Sequence, residues 1–231
     1  MNILILSAMT EEIDYLVKGF NLTAIDKING NDLFLHTENN KNIYILNSGI
    51  GKVASSITTS MMLNKYDIDK LISIGTSGAL TSTTSIGDFV VGKRLAYHDA
   101  DVTAFGYEIG QLPNQPKYFV TTDDDFWNKT IEQFASDSEV NVHYGDIVTG
   151  DQFISSSEKK QFINNHFENG VCTEMESTAI VHTALCYGID TYALRSISDN
   201  ADSSADVSFD EYLFKVCKLY KKFVDILLSN E

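Results

Sequence analysis

The chain predicts an α/β fold, a mixed or parallel sheet flanked by helices, and three observations carry that expectation. Short, nearly continuous apolar runs alternate with segments of helical spacing for most of the length, the pattern of strands buried on both faces by helices. Glycine-bearing turns follow several of those runs. Only two prolines occur, and no Ser/Gly-rich linker, low-complexity run or internal repeat interrupts the 231 residues, so a single domain over 1–231 is expected.

Taken in order, residues 2–7 read as a strand, and 11–20 as a helix with Ile13, Leu16, Val17 and Phe20 at helical spacing and Thr10 in the N-cap position. Residues 43–47 predict a strand, 53–63 a helix and 70–74 a buried strand. Further strands are expected at 89–91, 118–121 and 143–148, with helices near 124–136 and 157–166. The pattern closes with a strand at 171–174, a helix at 177–187, a strand at 191–197 and a last helix over about 209–228.

Composition narrows the function classes. A chain this long, 43% hydrophobic and 21% charged, can bury roughly 70% of its unfolded surface. A net charge of −15 argues against nucleic-acid and anionic-membrane partners, which repel it. The N-terminal run Ile3-Leu4-Ile5-Leu6 has no basic flank and is soon followed by acids, so it reads as a strand rather than a signal segment. No stretch approaches the ~18 apolar residues of a membrane span. Cys172, Cys186 and Cys217 form neither a CxxC pair nor an even set, which implies a reduced, cytoplasmic protein.

Three glycine turns stand where open α/β sheets hold ligands. Gly49-Ile50-Gly51-Lys52-Val53-Ala54 matches a relaxed dinucleotide fingerprint, but Asp67 and Asp69 precede the next strand instead of closing it, and a Walker A loop fails at Leu46 and Val53. A tight turn feeding a closely packed helix explains it equally well. Gly75-Thr76-Ser77-Gly78 and Gly150-Asp151-Gln152-Phe153-Ile154 each follow a predicted strand and expose backbone N–H groups.

The acids matter most. Glu174 and Glu176 sit two residues apart at a strand-to-helix junction, Glu12 lies in the first β–α connection, and Asp199 ends Arg195-Ser196-Ile197-Ser198-Asp199. If these strands share one direction, four carboxylates gather at one end of the sheet with Arg195 the one obvious cation. Crowding and burial drive such pKa values apart, leaving one carboxyl protonated as an acid and another ionised as a base, the requirement of glycosidic bond cleavage. Any one of these acids could equally cap a helix or solvate a loop.

Over essentially its whole length the chain resembles the 5'-methylthioadenosine/S-adenosylhomocysteine nucleosidases of the nucleoside phosphorylase superfamily. The resemblance is carried by Ala8-Met9-Thr10-Glu11-Glu12, Ser48-Gly49-Ile50-Gly51-Lys52-Val53, and the run from Tyr97-His98-Asp99-Ala100-Asp101 to Gly106-Tyr107. Further matches are Gly150-Asp151 with Phe153-Ile154, Glu174-Met175-Glu176, Ser198-Asp199, and Ser208-Phe209-Asp210-Glu211. It implies a three-layer α/β/α domain with a mixed, partly barrel-like central sheet, and hydrolysis of the N-glycosidic bond without cofactor or metal.

The resemblance also implies roles. Asp199 would protonate N7 of adenine, and Glu12 would activate the attacking water with help from Thr76, Glu174 and Arg195. Glu176 would bind the ribose hydroxyls. Phe153 would stack on adenine, with the backbone at Ile154 and the Ser198-Asp199 segment reading the purine edge, and Gly78 among the substrate-binding residues. Met9, Ile50, Met175 and Phe209 would line the 5'-alkylthio pocket, with Val102, Phe105 and Pro113 reaching in from the second subunit of a homodimer. The family usually carries Glu, Asn and Ser where Thr10, Ser73 and Thr76 stand; Thr76 keeps the hydroxyl.

Rival readings fare worse on the same residues. A purine nucleoside phosphorylase would place phosphate near Glu12, at ~4 kcal/mol per charge pair 4 Å apart at an effective dielectric of ~20. A futalosine or AMP hydrolase shares the chemistry and differs in the 5' pocket, where AMP would require Arg or Lys. An oxidoreductase rests on the 49–54 turn alone, and a non-catalytic nucleoside binder has no use for Glu12 and Asp199 together. Among His36, His98, His143, His166 and His182 there is no HExxH-type spacing, and Gly75–Gly78 lacks the G-x-S-x-G spacing of a nucleophile elbow.

Overall fold

The computed structural model describes residues 1–202 and 205–230, with the side chains of 205–211, 213 and 214 outside that description. The elements run β1 (Asn2–Ser7), α1 (Thr10–Gly19), β2 (Ala24–Ile28), β3 (Asn31–Glu38), β4 (Lys41–Asn47), α2 (Lys52–Lys65), β5 (Lys70–Ala79) and β6 (Phe89–Tyr97). They continue with a 3-10 turn (Thr103–Phe105), β7 (Phe119–Val120), α3 (Asp125–Ser138), β8 (Val142–Thr149), α4 (Ser157–His166), β9 (Gly170–Glu174), α5 (Ser177–Cys186), β10 (Asp190–Asp199) and α6 (Ala205–Ser229).

The strands form one mixed sheet in the order β10-β6-β8-β9-β5-β1-β4-β3-β2, with β7 alongside β6. A further pairing of β10 with β5 closes β10, β6, β8, β9 and β5 into a five-stranded ring, from which β1, β4, β3 and β2 extend as an open arm. This is the three-layer, partly barrel-like α/β architecture expected from the resemblance.

Period-two packing explains the central strands. Ile3 and Ile5 of β1 pack with Ile13, Leu16, Trp127, Tyr220 and Phe223, beneath α1, α3 and α6. Leu4 and Leu6 point the other way, onto Met62, Ile180 and Ala184 of α2 and α5. A strand covered on both faces has no polar side, which is why β1, β5 and β10 read as apolar runs. A third cluster draws on all five ring strands, including Ala79, Val90, Ile147, Cys172 and Ala193.

Three expectations are corrected. The Gly75–Gly78 segment is not a turn: β5 continues through it to Ala79, paired with β10 at Arg195↔Gly75, Ser196↔Thr76 and Asp199↔Gly78. The apolar run stops at Ile74, but the ladder does not need apolar side chains to continue. Thr10 is the first residue of α1 rather than its cap, which is Met9. The hairpin β2–β3 stands where no element was expected; β2 is mostly exposed and carries little apolar pattern, β3 buries only Leu33 fully, and Asn29-Gly30, both at positive φ (48° and 82°), make its two-residue turn.

Tyr220 ties α6 to the sheet where the site begins. Its buried hydroxyl donates to the Gly75 carbonyl at 2.6 Å and accepts the Gly75 N–H at 3.0 Å. Tyr220→Phe strands both backbone groups, and we expect it to cost about 1–3 kcal/mol in equilibrium denaturation. A loss under ~0.5 kcal/mol would mean that water replaces the hydroxyl freely.

Candidate active site

β1, β5 and β10 are parallel neighbours, so the loop after Ser7, the end of β5 and Asp199 emerge on one side. Glu174 arrives differently. β9 runs antiparallel to β5, so the acids do not gather through one shared strand direction. They gather because ring closure carries the end of β9 across the long tail of β5, at Gly78↔Thr173. Together these ends wall a cleft with a cavity volume of about 220 Å³.

Glu12 is buried at the floor of this cleft. Its Oε2 accepts from the Ser7 hydroxyl and, at 3.3 Å, from the Met9 N–H, while Oε1 accepts the Thr76 N–H at 3.0 Å and the Thr76 hydroxyl at 3.1 Å. Thr76 thus supplies Glu12 with both a backbone and a hydroxyl donor. Both carboxyl oxygens accept from neutral donors, and the Arg195 charge acts on Glu12 from beyond hydrogen-bond contact.

Arg195 and Glu174 form a sealed ion pair, Nη2 to Oε2 at 2.9 Å, with side chains 1% and 3% exposed. The guanidinium also donates to Ser177 Oγ (2.8 Å), the Ile74 carbonyl (2.9 Å) and Ser73 Oγ (2.9 Å). Glu174 further accepts from the Thr149 hydroxyl and from the N–H groups of Glu176 (3.0 Å) and Ser177 (2.7 Å). Gly75, at φ +149°, lies against the guanidinium, and a Cβ there would collide with Nη1.

Glu176 is the unneutralised member of the pair. Burial, and after it the charge of Glu174, push its carboxyl up to about 8, against the pull of Arg195 and of the Gly51 N–H that reaches Oε1 at 2.8 Å. Asp199 is likewise raised, first by burial, although Ala201 N–H (2.8 Å) and Ser198 Oγ (2.9 Å) donate to it and Lys160 opposes the shift. Gly78 leaves room for that carboxyl, since a Cβ would stand 2.7 Å from Asp199 Oδ1. The arrangement can hold one carboxyl protonated beside others that are ionised, the condition for acid–base work within one cleft.

Met9, Ile50, Phe153, Met175 and Ser198 complete the lining, and Ile154 borders the adjoining space beside Asp199. Val102, Phe105 and Pro113 do not line this chain's own cleft; Phe105 is 80% exposed on the 3-10 turn. The side chain of Phe209 lies outside the described residues. The Gly49–Gly51 turn is both a tight turn, with φ of 78° and 86°, and a donor to Glu176. Ser7, Thr149 and Ser177 were not singled out from sequence, and each is a hydroxyl adjoining a motif that was: one before Ala8, one before Gly150, one after Glu176. Among the described residues, no cluster of three or more His, Cys, Asp or Glu side chains is arranged to hold a metal ion.

Residues 2–229 match the family model of the phosphorylase superfamily, so fold and site define a member of that superfamily. The 5'-methylthioadenosine/S-adenosylhomocysteine nucleosidase of Staphylococcus epidermidis is 38% identical over 226 residues, 98% of each chain. The structure of the Streptococcus pneumoniae nucleosidase with a transition-state inhibitor superposes with a TM-score of 0.89 at 34% identity, covering 99% of this chain and 98% of that one. A Helicobacter pylori structure described as a futalosine hydrolase superposes at 0.90 and 32% identity, covering 98% and 97%. The chain belongs to the 5'-methylthioadenosine/S-adenosylhomocysteine nucleosidase family.

The raised Glu176 has a consequence for stability. A carboxyl raised from 4.5 to about 8 on folding contributes stability that is full below its unfolded value and lost as pH climbs through about 8. Glu176→Gln removes that loss, so the variant's melting temperature should gain on the wild type steadily from pH 5 to pH 9. A constant difference across that range would show that the carboxyl is not held protonated.

Proposed function

We propose that this chain hydrolyses the N-glycosidic bond of 5'-methylthioadenosine and S-adenosylhomocysteine, and by the same chemistry 5'-deoxyadenosine, releasing adenine and the 5-thioribose or corresponding sugar, as in methionine salvage and recycling of S-adenosylmethionine by-products. One observation carries the choice of water over phosphate. The Glu12 carboxylate faces the cleft, and Arg195, the one cation among the described residues lining it, is already bound to Glu174, two serines and a carbonyl. A phosphate would meet an anion with no cation left to receive it.

The roles follow the geometry. Asp199, whose carboxyl burial raises above its ordinary range, would give its proton to N7 of the purine as the bond from C1' to N9 breaks, so that adenine leaves neutral. Water attacks C1' and loses its proton to Glu12, which Ser7, Met9 N–H and Thr76 hold ready. Glu176 takes the ribose hydroxyls and places negative charge near the oxocarbenium-like sugar. Phe153 stacks on the base, Ile154 and Ser198 border its edge, and Met9, Ile50 and Met175 receive the alkylthio group, with methionine's flexibility suiting tails of different size. The futalosine reading shares all but the 5' contacts, and these apolar side chains favour a thioether.

We read the chain as one cytoplasmic domain that works as a homodimer. Support comes from an exposed apolar stripe on α2, where Val53, Ile57 and Met61 recur every four residues with exposures of 70%, 46% and 44%. Phe105 stands bare on the segment that the family sends into a partner's site. Among the described residues, no helix is long and apolar enough to cross a membrane.

Adenine release from methylthioadenosine in phosphate-free buffer tests the reaction. We expect turnover independent of phosphate, slowed at least ~100-fold by Asp199→Asn, with Glu12→Gln binding substrate analogues but turning over poorly. Turnover that requires phosphate would sink the hydrolase reading. For the assembly, sedimentation should give twice the chain mass of 25.7 kDa, and the double variant Val53→Glu/Ile57→Glu should sediment as a monomer with a raised KM. A wild type that sediments as a monomer with full activity would refute the shared pocket.

A further inference from the structure

Three loops meet at one ion pair outside the cleft. Lys52 opens α2 directly after the Gly49–Gly51 turn, and its Nζ donates to both oxygens of Asp99, at 2.7 and 2.6 Å. Asp99 Oδ2 also accepts the backbone N–H of Asp151 at 2.9 Å. Asp151 completes the junction: its Oδ1 accepts the Lys52 N–H at 2.8 Å, and its Oδ2 lies 3.7 Å from Lys52 Nζ. The Lys52 and Asp99 side chains are 26% and 12% exposed, so solvent screens the pair less than it would a surface pair. Burial works against the Asp99 charge, yet the Lys52 ammonium and the Asp151 N–H hold its carboxyl below the ordinary range.

Under the nucleosidase reading, two of the joined segments serve different parts of the ligand in this chain's cleft, and the third reaches toward the site of a second copy. The first presents the Gly51 N–H to Glu176, and only a glycine there leaves space for the Asp151 carboxylate, whose Oδ1 would stand 2.9 Å from a Cβ. The second carries Phe153 and Ile154. The third leads from His98 and Asp99 into Val102 and Phe105. None of the bonds that hold Glu12 or Asp199 passes through this junction.

We propose that the Lys52–Asp99 pair is a positioning device for substrate recognition, which fixes the distance between the turn that orients the ribose-binding Glu176 and the loop that carries the base-stacking Phe153. Neither residue touches the substrate. The proposal rests on the nucleosidase reading for what is bound, and it separates binding from chemistry: loosening the pair spreads the two halves of the recognition surface and leaves the acid and the base where they are.

The test uses methylthioadenosine with Lys52→Met, Asp99→Asn, their combination and Lys52→Arg. Each of the first two should raise KM roughly 10-fold or more while kcat stays within about threefold, as expected for a lost charge-assisted bond that acts on binding alone. The double variant should be no worse than the worse single, because the two residues act as one unit. Lys52→Arg, which keeps the charge, should retain most of the affinity. Calorimetric binding of adenine to the same proteins reads the pair without turnover and should weaken in parallel. If Asp99→Asn does not fold, Lys52→Met interrogates the same bond from the other side. The proposal is overturned by KM values within about threefold of wild type, by kcat falling as far as KM rises, or by additive losses in the double variant. A wild type that releases no adenine from methylthioadenosine would instead remove the nucleosidase reading, and adenine binding would still report on the pair.

Discussion

The rest of the site depends on how a guanidinium and a carboxylate are kept at the bottom of a cleft away from water. Removing either charge from solvent costs several kcal/mol, and their attraction offsets that cost only when the remaining donors and acceptors are satisfied. Here they are. Arg195 adds two serine hydroxyls and a carbonyl to its bond with Glu174, and Glu174 adds a threonine hydroxyl and two backbone N–H groups. These partners come from β5, β8, β10 and the start of α5, so the closed ring and the ion pair specify each other. Gly75 follows from the same constraint, since any side chain there would occupy the guanidinium's place.

Neutralising Glu174 divides the acids into kinds. Glu174 and Arg195 cancel, which leaves Glu176 and Asp199 as buried carboxyls without a dedicated cation, and both are raised. Glu12 is held by neutral donors alone. Four carboxyls in one cleft thus occupy three electrostatic settings although all belong to the same two residue types. Under the proposed reaction, a sugar that gains positive charge as its bond to adenine breaks would relieve the cost of ionising Glu176.

Much of this was legible in the sequence, and the remainder was not for identifiable reasons. The central strands were readable because burial on both faces makes them apolar, and the four acids because each sits beside such a strand. The tail of β5 was misread because Gly75-Thr76-Ser77-Gly78 has turn composition, whereas its small residues are present to admit Arg195 and Asp199 from β10. The hairpin turn Asn29-Gly30 carried a strong local signal, but the exposed residues of β2 gave no apolar pattern to flank it. Ser7, Thr149 and Ser177 could not be found by composition, since a hydroxyl that orients a carboxylate looks like any other serine or threonine until the strands are paired.

Glu174 and Asp199 end strands, and Glu12 and Glu176 stand at helix starts, which limits how far the acids can drift. Asp199 is in register with Gly78 and Glu174 with Thr149, while Glu12, in the first turn of α1, is tied to the ladder through Thr76, which is in register with Ser196. The recognition elements are different: Gly49–Gly51, Gly150–Ile154 and the segment after His98 lie between elements, where backbone order must come from side chains. A fold that fixes its chemistry by strand register and its specificity by loops needs a separate device to hold the loops together. Among the described residues, bonds that join all three loops meet at Lys52, Asp99 and Asp151, and on this rests the proposal that a pair of charges outside the cleft bears on what the cleft can bind.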